Sequence, residues 1–110
     1  MTVKELANIL NADIIAGQNG TDKIVECGYC GDLLSWVMGR AKENCVWITV
    51  MGNVNAIAVA VLADISCIIL AENSVLDDDA KLKADEQEIP VLKINMPHFE
   101  LCVTIDKIIK

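Results

Sequence analysis

A chain of 110 residues has room for one hydrophobic core and no second domain. Its 9 basic and 16 acidic residues give a net charge of −7, which argues against a nucleic-acid or anionic-membrane partner, because both need a basic footprint. Hydrophobic residues make up 54% and aromatic ones only 4%, so the chain is no disordered tail, and its core is built from Ile, Val, Leu and Ala.

The N-terminus has the form of a capping box, with Thr2 as cap and Glu5 three residues on. A helix to about Leu10 is expected, with Leu6, Ile9 and Leu10 on its buried face and Asn11 at its end. Ile14 to Ala16 reads as a short strand stopped by Gly17 to Gly20. Ile24 to Cys27 reads as a second strand, broken by Gly28-Tyr29-Cys30-Gly31. Asp32 then has the character of an N-cap, and Leu33, Leu34, Val37 and Met38 lie at helical spacing up to Gly39. Cys45 to Val50 is an apolar strand, and Gly52-Asn53 turns into a helix from about Val54 to Ala63. Cys67 to Leu70 is a strand and Asp77 to Glu88 a helix, its acidic start at the positive end of the dipole. Val91 to Ile94 is the last strand, and Pro97 opens a helix from about His98 to Ile109. This alternation predicts a single small α/β domain over 1–110, a mostly parallel sheet with helices packed on it.

The most apolar run, Ala56 to Ala71, is shorter than the roughly 20 residues of a spanning helix and is interrupted by Asp64 and Ser66. It reads as a buried helix and strand. The N-terminal stretch lacks a cleavage site, and five cysteines are an odd count. Both features predict a cytoplasmic protein with free thiols and no membrane span. The helix from Val54 to Ala63 has no charged residue on any face, which predicts burial on all sides, through a homodimer.

Two strand-to-helix turns carry the candidate ligand site. Parallel sheets bind ligands outside the carboxyl ends of their strands, where free N–H groups attract anions. Gly31 and Gly52 would admit a ligand close to the backbone, while Asp32, Thr49, Asn53 and Asn55 supply polar groups. The plainer reading of the same residues is that Asp32 and Asn53 are N-caps and the glycines only make turns.

Cys27-Gly28-Tyr29-Cys30 is a CxxC, which suits a redox pair or half of a zinc or iron–sulfur site. No second CxxC completes a metal site within one chain, and Cys30 precedes the expected helix instead of opening it. Cys45, Cys67 and Cys102 read as small core residues. His98, the only histidine, has no nucleophile beside it in sequence. Trp36 and Trp47 read as packing or interface residues. There is no GxxxxGK[ST], GxSxG or HExxH, which counts against a free-standing enzyme.

The runs Gly31-Asp32-Leu33-Leu34-Ser35-Trp36-Val37-Met38-Gly39, Val46 to Val50, Asn53 to Ala60 and Ala63 to Leu70, with Phe99-Glu100, resemble the DRTGG domain family from about Leu6 to Ile108. The pentapeptide that names the family does not occur. The resemblance implies an α/β fold related to the N-terminal domain of HPr kinase/phosphorylase, without the kinase half that carries a P-loop. It also implies a regulatory module, as found beside phosphotransacetylase domains and between CBS domains of regulated pyrophosphatases, where such domains help dimerise. The combined expectation is a non-catalytic, homodimeric regulatory or adaptor module. Its ligand is a small anion such as a nucleotide at Gly31, Asp32, Thr49, Asn53 and Asn55, and its partner a protein of a regulated enzyme system. The alternative is a metal or redox protein using Cys27 and Cys30.

Overall fold

The computed structural model describes every residue from Met1 to Lys110. The first helix, α1 (Val3–Leu10), opens on a reciprocal cap. Thr2 Oγ1 accepts from the Glu5 N–H at 3.2 Å, and the Glu5 carboxylate accepts from the Thr2 N–H at 3.0 Å. Asn11 closes the helix in the left-handed region, at φ 54°. Val3, Leu6, Ala7 and Leu10 form the buried stripe. Ile9, expected on that face, is 57% exposed. The stripe runs i, i+3, i+4, i+7 from Val3, and Ile9 stands outside it.

The chain continues through β1 (Asp13–Ala16), a 3-10 turn at Gln18–Gly20, β2 (Cys27–Cys30) and α2 (Leu34–Arg40). It then alternates β3 (Cys45–Thr49), α3 (Val54–Leu62), β4 (Cys67–Leu70), α4 (Asp78–Gln87), β5 (Val91–Lys93) and α5 (His98–Ile109). The five-stranded sheet has the order β1-β5-β4-β3-β2. Strands β2 to β5 are parallel, and β1 runs antiparallel along β5.

From β2 to β5 each crossover steps to the next strand in the same direction. Crossovers are right-handed, so α2, α3 and α4 all fall on one face. The buried side chains divide accordingly. Val37, Ala56, Ile57, Ala60, Ala80 and Ala84 meet Trp47, Ile68 and Leu70 on that face. On the other, Val3, Leu6, Leu101 and Ile105 from α1 and α5 meet Val46, Ile48, Cys67 and Ile69. Every residue of β3 and β4 is buried, which is why β4 reads as an unbroken apolar run and β3 as one up to Thr49. Because the strands lie in sequence order, there is no topological switch point between β2 and β5.

The second strand lies three residues beyond its expected place. Ile24 pairs with Thr2 in an isolated antiparallel bridge, and the Val25 N–H donates to the Met1 carbonyl at 2.8 Å. The parallel ladder with β3 begins only at Cys27, which faces Cys45. Gly28 does not break it, since β2 is an edge strand whose ladder is satisfied on one side alone. In α2, Gly39 does not stop the helix, which runs on to Arg40. Only Val37 of that helix is fully buried, and Leu33, Trp36 and Met38 are exposed. No helix is long and apolar enough to cross a membrane.

Candidate functional site

The carboxyl ends of β2 and β3 bring Gly31, Asp32 and Thr49 together. Thr49 is fully buried, and its hydroxyl donates to Asp32 Oδ1 at 2.6 Å. The Val50 N–H donates to the same oxygen at 3.0 Å, and the Met51 N–H donates to Thr49 Oγ1 at 3.2 Å. Asp32 therefore staples the β2–α2 turn onto the end of β3. It is not the cap of α2, as expected: Leu33 holds that position, with no side-chain bond. The Thr49 hydroxyl and the Val50 N–H, both at the end of β3, converge on one carboxylate oxygen and hold it there with two charge-assisted bonds. Beneath the turn, the buried Trp47 donates its Nε1–H to the Gly31 carbonyl at 2.8 Å.

Asn53 is the cap of α3. Its side chain accepts from the Ala56 N–H at 2.9 Å. Asn55 lies exposed in the first turn. The N–H groups of Val54 and Asn55 find no acceptor in the fold, as helix geometry dictates for the first turn. Gly52 is close-packed against the chain itself, not open to a ligand. A Cβ there would run into the carbonyl oxygen of Val75, and the Gly52 carbonyl accepts from the Asp77 N–H at 2.8 Å. Asp32, Thr49, Asn53 and Asn55 line no cleft, so this edge is an open surface.

The clefts lie elsewhere. One of about 510 Å³ opens at the amino edge of the sheet, lined by Lys23, Glu26, Asn44, Asp64, Ser66 and Gln87 among others. Its residues come from four separate stretches, and no local motif announces it. Two more, lined by both Cys30 and Cys102, flank α5. His98 sits at the rim there, with Nε2 3.3 Å from the Ile48 carbonyl, a contact that requires the ring proton on Nε2.

The CxxC has no shared face. Side chains three apart on a strand point to opposite sides, so Cys27 lies against the layer of α2 to α4 and Cys30 against α5. No cluster of three or more His, Cys, Asp or Glu side chains is placed to hold a metal ion. Burial pushes the Cys45 thiol up to about 12 and the Cys67 thiol higher still, so both stay neutral.

No curated protein matches the sequence. Among solved structures, the chain is similar to the CBS and DRTGG domains of the regulatory region of Clostridium perfringens pyrophosphatase, complexed with its activator diadenosine tetraphosphate. The TM-score is 0.70 at 12% identity, covering 94% of this chain and 45% of that one, so the likeness establishes the fold. The model of the DRTGG domain matches residues 5–108, and the chain belongs to the DRTGG domain family.

Proposed function

We infer that this DRTGG domain is a cytoplasmic, non-catalytic regulatory module that acts as a homodimer, pairing through the face of α3. The observation that carries this is the surface of that helix. Val54 to Leu62 contains no charged residue. Its buried residues are Ala56, Ile57, Val59 and Ala60, while Val54, Ala58 and Leu62 stand in water, Leu62 at 74% exposure. These three are spaced i, i+4, i+8 and form one stripe. Leu33 and Trp36 of the α2 segment and Leu82 of α4 extend the exposed apolar surface on the flanking helices. An uncharged helix with a bare apolar stripe is an interface without its partner, and a two-fold pairing covers it with its own copy. Light scattering at micromolar concentration tests this: a dimer supports the reading, and a persistent monomer overturns it.

A nucleotide is the ligand we favour for such a module, because the similar pyrophosphatase region binds a dinucleotide activator. The residues suited to it are at the carboxyl edge. The unpaired Val54 and Asn55 N–H groups suit a phosphate oxygen. The free oxygen of the Asp32 carboxylate suits a ribose hydroxyl, and Gly31, Thr49 and Asn53 hold these groups in place. A thermal-shift series with mono- and dinucleotides tests it. Stabilisation that Asp32→Ala and Asn55→Ala both weaken is the expected outcome. Absence of any shift at millimolar nucleotide removes the ligand from the reading and leaves the dimer.

A further inference from the structure

With the CxxC divided between two faces, Cys30 acquires a different neighbour. Gly28 and Cys30 share the β2 face that looks onto α5, and Cys102 lies just past the first turn of that helix. The two cysteines together line both clefts beside α5, one with Gly28, Ile105 and Ile109, the other with Gly31, His98 and Phe99. Cys30 is exposed and Cys102 half-buried, so small molecules reach the pair from solvent. Cys30 stands opposite Ile48 in the ladder, and Cys102 packs against the cluster that holds Ile48, so the two cysteines meet at the same place on the sheet.

We propose that Cys30 and Cys102 form a dithiol site that a low-molecular-weight disulfide converts into an intramolecular disulfide, tying the edge strand β2 to α5. The exposed Cys30 loses its proton to solvent, and its thiolate attacks one sulfur of oxidised glutathione. A glutathione thiolate leaves and takes up a proton, and a mixed disulfide remains on Cys30. The Cys102 thiolate then attacks the Cys30 sulfur and displaces the second glutathione. Two protein thiols are oxidised, one glutathione disulfide is reduced to two thiols, and the protons balance.

Burial, the neighbouring Cys102 and the charge of Asp32 push the Cys30 thiol up to about 12. The exchange is therefore slow near neutrality and speeds up about tenfold per pH unit below that value. A dithiol whose thiolate is not stabilised has a disulfide that resists reduction. The site is thus a slow, persistent lock, unlike a rapid peroxide sensor. The other close pair, Cys27 and Cys45, faces across adjacent parallel strands, with Cys45 fully buried.

The test treats the reduced full chain with oxidised glutathione for hours at about pH 9.5, where the exchange runs far faster than near neutrality. Free thiols are counted, disulfides mapped by peptide mass and melting followed by circular dichroism. Wild type loses two of its five free thiols, retains no glutathione and yields a peptide linking Cys30 to Cys102. Its melting temperature rises by about 5 °C or more, because the crosslink closes a long loop. Cys102→Ser, if folded, keeps glutathione on Cys30, and Cys30→Ser, at an exposed position, abolishes the crosslink. Five thiols retained, a linkage mapped to Cys27 and Cys45, or wild type left with glutathione on Cys30 would each overturn the proposal.

Discussion

Thr49 shows how much one hydroxyl can organise. It is fully buried, donates to Asp32 and accepts from the Met51 N–H, so it joins three segments at the carboxyl edge. Thr49→Val removes the donor and leaves the Met51 N–H without its acceptor, at an expected cost of about 1–3 kcal/mol, whereas Thr49→Ser retains most of the stability. Chemical denaturation of the two variants measures the difference. Gly52→Ala should be as costly, about 1–3 kcal/mol, because the added methyl meets the backbone of Val75, which cannot swing aside as a side chain would. At Asn53 the cap and the ligand separate. Asn53→Ala loses the bond to the Ala56 N–H and should cost about 1 kcal/mol, while Asn53→Asp keeps the cap. If a phosphate sits at this helix start, the aspartate repels it, so nucleotide stabilisation falls in a titration while folding survives. Equal binding by Asn53→Asp and wild type would reduce the turn to a turn.

At the scale of elements, the anchors between them set the acid stability. Asp85 of α4 accepts from the Gly17 N–H at 2.8 Å and pairs with Lys81 at 3.1 Å. The Gly17 bond first, and Lys81 second, hold its carboxyl below the ordinary value of 3.8. The Thr2 N–H and hydroxyl do the same for Glu5 in α1. The folded pKa values lie below the unfolded ones, so this stabilisation is complete at neutral pH and is lost as pH falls through the carboxylate range. Asp85→Asn should flatten the acid limb of a melting-temperature profile. An unchanged limb would mean that the Gly17 anchor contributes nothing. The same elements show what sequence can carry. The cap at Thr2, the stop at Asn11, the apolar runs of β3 and β4 and the Pro97 start of α5 were legible because each depends on residues within a turn of one another. The bounds of β2 were not, because Ile24 and Val25 are held by Thr2 and Met1, far away in sequence. Asp32 had the composition of a cap, but the donors that claimed it belong to β3. That Cys30 and Cys102 line the same clefts depends on contacts spanning most of the chain, whereas the CxxC spacing was visible, and on a strand three residues reverse the face.

The whole molecule presents two sides of different character. One carries the uncharged α3 with Leu62 and Val54 in water, next to Trp36, whose ring lies 3.8 Å beneath the Arg40 guanidinium. The rest is acidic enough to give −7 overall, so pairing has to overcome charge repulsion through apolar contact. Added salt should therefore tighten the dimer, since it screens the repulsion and leaves the apolar contact intact. Leu62→Lys should weaken it by about 2 kcal/mol or more per copy without unfolding the monomer, because Leu62 makes little contact within its own chain. If this domain works as a pair closed over α3, light scattering coupled to size exclusion at micromolar concentration reads the pairing out. Wild type is expected at a mass about twice 12.0 kDa, and Leu62→Lys as a folded single chain. A wild-type mass of 12.0 kDa at every concentration, or a Leu62→Lys dimer as tight as wild type, would contradict it.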